Sequence, residues 1–385
     1  MFKRTRAEID LSALAHNYIQ IKKGLKSDTA VMAIVKADAY GHGAITVARE
    51  LEAQGVTCFG VSSNDEAVQL RVNGIKIPIL VLGYTNPESY NELLEYSITQ
   101  TVFSYEQAKT ISDFCIKKGK TMKIHLKLDT GMGRLGFMCS SDEDIEKTVS
   151  EIKKVLELEN LEFEGIFTHF AESDKPESDY TQKQFSYFMK AVEKIGYSFK
   201  YKHCSNSAAI INFPEMQLDM VRPGIILYGL LPSSKTKNIG LLPVMSLCTR
   251  VAQIKSFEKD TSISYSRTYK TTDKTKVAVL PIGYADGFAR GLSGKIKVLI
   301  KGQPANIIGL VCMDMTMADI SKIEDVRNDD NVLIFGKENG NILPVEQISD
   351  ILGTINYETV CCISKRIPRI YIKDDKVIEE ESYIR

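Results

Sequence analysis

From residue 30 to about residue 228 the chain alternates short apolar runs with stretches of helical period. AVMAIVKA (30–37), TCFGVS (57–62), PILVLG (78–83), SITQTVF (97–103) and KIHLKLD (123–129) read as strands. FEGIFTHF (163–170), YKHCSN (201–206) and MVRPGIILYG (220–229) continue the series. Between them, GAITVARELEAQG (43–55), SNDEAVQLRVNG (63–74) and YEQAKTISDFCIKKG (105–119) carry helical spacing and close on glycine, with cap residues and acids opening the second. Alternation of this kind, with about eight strands over roughly 200 residues, predicts a parallel α/β fold, most simply a TIM (β/α)8 barrel. An open doubly wound sheet is the alternative, but no G-x-G-x-x-G follows the first strand.

Beyond about residue 240 the pattern changes to strand-length segments separated by turn residues: VMSLCTRVAQIKSFEKD, KVAVLPIGYADGF, KIKVLIKGQPANIIGLVCMDMTMADI and NVLIFG. This predicts a mostly β C-terminal domain. The polar connector LPSSKTKNIG (231–240) places the division at 1–235 and 236–385. No internal repeat or low-complexity segment interrupts either part.

Composition narrows the function classes. Lys+Arg and Asp+Glu both total 49, a balance that argues against nucleic acid or a membrane surface as partner. No apolar run approaches the roughly 18 residues of a membrane span, and the basic start MFKRTRAEIDLSALAHN lacks a signal-peptide core. The eight cysteines are scattered without metal-ligand spacing and read as reduced thiols of a cytoplasmic protein. Cys361-Cys362 reads as a strand crossing a core.

In a barrel, chemistry gathers at the C-terminal strand ends. That rule selects Lys36, the stretch from Asp129 to Arg134, His169, the stretch from His203 to Ser207, and Arg222 to Gly224. An amine delivered by an apolar strand is desolvated, favouring the neutral form that attacks an aldehyde. Taken alone, Lys36 is more often a lysine reaching out of a strand end, and His169 alone is more often a core histidine. The context adds to both. Gly41 and Gly43 permit close backbone approach, and Tyr40 is a neutral donor for a phosphate oxygen. In LDTGMGR, Gly131 and Gly133 allow a tight loop before the guanidinium fork of Arg134. SNSAA opens a helix with Asn206 or Ser207 as cap, and RPG brings Arg222 and Gly224 beside it, where barrels often hold phosphate.

Taken together these segments resemble the alanine racemases, pyridoxal-phosphate enzymes built as a barrel plus a β domain. The resemblance spans AEIDLSALAHN (7–17) to YETVCCISKRIPRIY (357–371), with VKADAYGHGA, LDTGMGRLGF, THFAESD, SNSAA, RPGIILYG, SYSRTY, PIGYADGF and VCMDM in family order.

The resemblance implies pyridoxal 5'-phosphate as cofactor, carried by Lys36 as an internal aldimine. Tyr40, Ser207 beside Asn206, the Gly224-Ile225 backbone and Tyr357 would hold its phosphate. Arg134 would face the phenolic oxygen and the substrate, His169 the ring, and Arg222 the pyridine nitrogen, with His203 behind it. Tyr265 would be the second base, acting on the barrel of the other chain in a homodimer; Met313, Cys312 and Asp314 would bind the substrate carboxylate and Tyr284 would line the entrance. Lys127 matches a lysine that is carbamylated in some members. The implied activity interconverts L- and D-alanine, with D-alanine serving cell-wall peptidoglycan.

An arginine at the pyridine nitrogen makes the cofactor a weaker electron sink than a carboxylate would, which suits racemisation over side reactions and over a decarboxylase of the same plan. The alternative within the fold is a serine or broad-specificity racemase; Tyr357 beside the methyl pocket favours alanine. A non-catalytic cofactor-binding relative would be a lone barrel, without the β domain that carries Tyr265. Asp38 and His42 receive no role beyond supporting their loop.

Overall fold

The aliphatic runs become parallel strands because most are buried on both faces, as a barrel requires. The computed structural model describes residues 4–384. Among these, the barrel strands are β1 (Ala30–Ile34), β2 (Cys58–Val61), β3 (Ile79–Val81), β4 (Thr99–Val102), β5 (Met122–Asp129), β6 (Leu161–Phe167), β7 (Tyr201–His203) and β8 (Met220–Val221). Their order is β8-β1-β2-β3-β4-β5-β6-β7, all parallel. Backbone bonds from Asp219 N–H to Lys202 O (3.1 Å) and Arg222 N–H to Ser205 O (2.9 Å) draw β8 toward β7, so the sheet is a near-closed barrel.

The connecting helices start and stop where their chemistry dictates. Ser141 caps Asp142–Leu156 by accepting the Asp144 N–H; three acids fill the first turn and Lys153 and Lys154 the last, as the helix dipole favours. Gly119 and Gly196 end Tyr105–Lys118 and Tyr180–Ile195 in the left-handed conformation.

The second compact unit is a mostly antiparallel β structure. Its main sheet runs from Gln253–Phe257 through Thr275–Leu280, Thr316–Asp319, Gln303–Ile308, Lys297–Ile300, Asn331–Glu338 and Met245–Arg250 to Arg6–Asp10, Arg369–Lys373 and Lys376–Glu381. Chain order and compactness diverge here. Of the described residues, 4–14, 228–230 and 242–384 form this unit, and 15–227 with 231–241 form the barrel unit. These units place the N-terminal strand and 228–230 with the β part and 236–241 with the barrel, where the sequence-based division runs at 235/236. Arg6–Asp10 pairs antiparallel with Met245–Arg250 and parallel with Arg369–Lys373, and those ladder bonds outweigh its place in the chain. Cys361 and Cys362 also depart from expectation: Asn356–Cys361 is a helix, Thr359 and Val360 take its buried side, and both thiols are exposed.

Candidate active site

The segment after β1 is not an ordinary strand-to-helix loop. Ala37, Asp38, Ala39 and Tyr40 all have φ between 52° and 56° and ψ between 41° and 49°, one turn of left-handed helix built without glycine. Such residues cost about 1–2 kcal/mol each, so neighbouring bonds must hold the turn. Glu66 Oε1 accepts the Ala37 N–H at 2.7 Å and Val35 O accepts the Ala39 N–H at 2.8 Å. The Asp38 carboxylate accepts the Ala44 N–H (2.8 Å) and its carbonyl the Gly43 N–H (2.9 Å), which starts the helix Ala44–Ala53. His42 Nδ1 lies 3.0 Å from Ala39 O and 2.9 Å from Tyr40 O, so it must be the protonated nitrogen. Asp38 and His42 thus gain a physical account: they hold the turn that follows Lys36.

Tyr40 emerges from that turn toward the start of the segment after β8. A Cβ at Gly224 would fall 2.6 Å from Tyr40 Oη, so the phenol lies where only glycine leaves room. Gly224 N–H donates to Ser207 Oγ at 2.8 Å, which leaves the Ser207 hydroxyl hydrogen for another acceptor. Tyr40, Ser207 and Gly224 are buried together, and Ile225 opens a short 3-10 turn directly behind. Asn206 is committed elsewhere: its amide oxygen accepts the Ala209 N–H (3.0 Å) and the Ser173 hydroxyl (2.8 Å).

At the end of β5, Asp129 organises the next loop. Its Oδ1 accepts N–H bonds from Gly131, Met132 and Gly133 at 2.8–3.1 Å, and its Oδ2 accepts that of Arg134 at 2.9 Å. Gly131, Gly133 and Gly136 take φ of 127°, 73° and 142°, so the fold of this loop depends on their missing side chains.

Arg222, fully buried, makes the densest set of contacts. Nη1 donates to His203 Nδ1 at 2.8 Å; Nη2 donates to Thr168 O (2.7 Å) and Cys204 O (3.0 Å) and lies 3.4 Å from His169 Nδ1. Burial lowers the guanidinium to about 10, which still leaves it charged at neutral pH. Burial and then the charges of Arg222, Arg134, Lys127 and Lys36 push His169 well below the usual histidine range, so it is neutral. Lys127, also buried, falls to about 8 through burial and then the Arg134 and Arg222 charges. The barrel site is therefore rich in cations and donors, with Asp129 as an acid whose charge acts on Lys127.

In the β unit, Tyr265 opens a short 3-10 turn and is 67% exposed. Ser264, Ser266 and Arg267 flank it with φ of 67°, 57° and 51°. It shares a cleft with Ser264, Cys312, Met313, Asp314 and Met315. Tyr284 N–H donates to Cys312 O and Ala285 N–H to Met313 O, both at 3.0 Å, so the Tyr284 and Met313 segments are tied to one another. Asp314 is held by Arg366 at 2.6 Å. Tyr357 lies half-buried on the helix Asn356–Cys361.

Sequence reasoning overlooked Glu66, and it passed over His125 and Glu164, two buried polar residues of the barrel interior. A signal for the latter existed: the Glu-Gly pair inside the apolar strand FEGIF is unusual unless another group needs the space.

A parallel barrel with polar side chains gathered at its C-terminal strand ends, on a chain that also carries a mostly β unit, defines a two-domain barrel enzyme. The chain belongs to the alanine racemase family. It matches the N-terminal domain of alanine racemase over residues 9–232 and the C-terminal domain over 244–371. It is 46% identical over 383 residues to an alanine racemase of Clostridium perfringens, covering 98% of both chains. An alanine racemase structure from Clostridium difficile superimposes with a TM-score of 0.94 at 40% identity over all of both chains. One from Bacillus anthracis with bound L-Ala-P does so at 0.90 and 36%, covering 100% of this chain and 99% of that one. Among the described residues no helix is long and apolar enough to cross a membrane.

Proposed function

We propose that this protein interconverts L- and D-alanine, using pyridoxal 5'-phosphate held in the barrel site. The donor set fits that group. Tyr40, the Ser207 hydroxyl and the backbone at Gly224 and Ile225 would hold the phosphate, with Tyr357 as a further donor. Lys36 would carry the aldehyde, and Arg134 would face the phenolic oxygen. Arg222, with His203 behind it, would donate to the pyridine nitrogen, His169 would lie at the ring, and Asn206 would position Ser207. The observation that carries the reading is Arg222, a buried cation with protein acceptors on both terminal nitrogens. A guanidinium donates and does not accept, so the ring nitrogen it meets stays unprotonated.

The cofactor supplies an electron sink that makes the substrate Cα–H acidic enough to ionise. The chain's own residues then manage one proton on two faces. Lys36 Nζ removes or returns it on one face, and the partner subunit's Tyr265 does so on the other. The partner subunit's Met313, Cys312 and Asp314 would bind the substrate carboxylate together with Arg134, and the partner subunit's Tyr284 would line the way in. Support for a homodimer comes from the exposure of Tyr265, Tyr284, Met313 and Met315 on one unit, an apolar surface of the kind a second subunit covers. Lys127, near pKa 8, has the neutral amine fraction that reacts with carbon dioxide, and we propose it as a carbamate that neutralises the cation cluster around Arg134. The product would be D-alanine for peptidoglycan.

Incubating purified protein separately with L-alanine and L-serine, followed by chiral chromatography, tests the reading. D-alanine as the main product is expected. Equal or faster formation of D-serine overturns the substrate assignment, and no D-isomer from either overturns the activity.

A further inference from the structure

Behind Arg222 the barrel interior contains more polar order than the site itself needs. His203 Nε2 lies 2.9 Å from His125 Nδ1, and His125 Nε2 lies 3.6 Å from Glu164 Oε2. Glu164 Oε1 in turn lies 3.3 Å from Lys200 Nζ and 3.6 Å from Lys123 Nζ, lysines whose side chains are more than half exposed. A line of polar groups therefore runs through the barrel from solvent-facing lysines to Arg222.

Its protons can be placed by exclusion. Arginine has no acceptor, so His203 Nδ1 must be the bare nitrogen. A neutral His203 then carries its proton on Nε2 and donates to His125 Nδ1, which must also be bare. His125 accordingly carries its proton on Nε2, facing the Glu164 carboxylate. Reversing any one bond sets two N–H groups against each other.

The chain sequence makes room for this line. Strands β5 and β6 pair Ile124 with Phe163 and His125 with Gly165, so Glu164 is skipped as the extra residue of a bulge, a device that re-aims a side chain. A Cβ at Gly165 would fall 2.5 Å from His125 Nδ1 and 2.6 Å from Cε1, so the glycine is what seats the ring. Phe167 stacks on His203 at 4.7 Å and 7°, fixing the second ring.

We propose that Glu164 and His125 are positioning residues: with His203 they form a one-way donor chain that holds Arg222 as a fixed donor toward the pyridine nitrogen. The anion at one end balances the buried cation at the other across two neutral imidazoles. His125 next to it draws Glu164 down to about 2, and burial pushes both histidines below their ordinary range. The charged or titratable groups facing His125 are Glu164, Lys200, Tyr201, His203 and Arg222; Cys58 of β2 also senses Glu164, and Arg222 and His125 face His203. The proton placement stands by itself, whereas its effect on turnover rests on the racemase reading.

Nitrogen-15 NMR of histidine-labelled holoenzyme tests the placement, with five histidines to assign. Both His125 and His203 are expected as neutral Nε2–H tautomers that do not titrate between about pH 5.5 and 8.5. Glu164→Gln should move the His203 Nδ1 resonance, although the two side chains do not touch. It should also lower kcat about tenfold, the scale of losing an outer partner that orients a site residue, with KM within about twofold. An Nδ1–H tautomer, a titrating ring, an unmoved His203 resonance or an unchanged kcat would each overturn the proposal. If Glu164→Gln fails to fold, the tautomers of the parent protein still decide the chain. If the parent racemises nothing, the functional reading fails while the resonances remain informative.

Discussion

Asp129 and Arg134 are joined through the backbone: the carboxylate Oδ2 accepts the Arg134 N–H at 2.9 Å while Oδ1 takes three further N–H groups of the same loop. Arg134 is thus placed by the fold of its loop. Asp129→Ala should leave four donors of a tight turn without an acceptor. A loss of about 1–3 kcal/mol in chemical denaturation is expected, with KM for alanine raised as Arg134 shifts. Asp129→Asn, which keeps acceptor capacity on one oxygen, should lose less.

Lys36 is where the proposed chemistry is concentrated. Purified protein should show the visible absorbance of a lysine Schiff base, and Lys36→Ala should lack it. Racemisation should fall by about three orders of magnitude or more, since a base and an anchor vanish together. Retained absorbance in the variant would refute the assignment.

Tyr265→Phe removes the hydroxyl from one face alone. Exchange of the α-hydrogen with solvent deuterium should fall by about 10²-fold or more from one enantiomer and far less from the other. A small, equal loss from both would rule out two bases.

Lys127 makes a prediction about pH. Its folded value is about 8 against 10.5 for the free group, so between those values the unfolded chain holds more protons than the folded one. Stability should therefore rise with pH across that window, by an amount on the order of 3 kcal/mol in the absence of carbon dioxide. Below about 8 the charged amine weighs on the fold. Thermal melts of the parent and Lys127→Met should differ most at neutral pH and converge toward pH about 10. Adding bicarbonate labelled with carbon-13 should give a carbamate signal that Lys127→Met lacks.

The barrel was legible because its strands are short apolar runs between capped helices, a pattern that survives without tertiary information. The choice of Lys36, Arg134, Ser207 and Arg222 as candidates followed from the strand-end rule. The turn at 37–40 was not legible: four residues with Cβ atoms in left-handed geometry contradict local preference, and part of what holds the region, Glu66 and the Gly60 carbonyl, lies more than 20 residues away in sequence. Glu164 and His125 escaped for a related reason. A bulge breaks the two-residue alternation on which inward and outward positions are read. The place of Arg6–Asp10 in the β unit was not legible because its partners lie more than 200 residues away in sequence.

The left-handed turn after Lys36 also has a bearing on the order of folding. Local preference opposes it, and its bonds come from the end of β2, the helix Asn64–Val72 and the start of Ala44–Ala53. It is expected to form only once those elements have docked. The Lys36 amine at its head would therefore be aligned after β2 and these two helices have packed. Substitutions in the turn should leave the refolding rate nearly unchanged and accelerate unfolding.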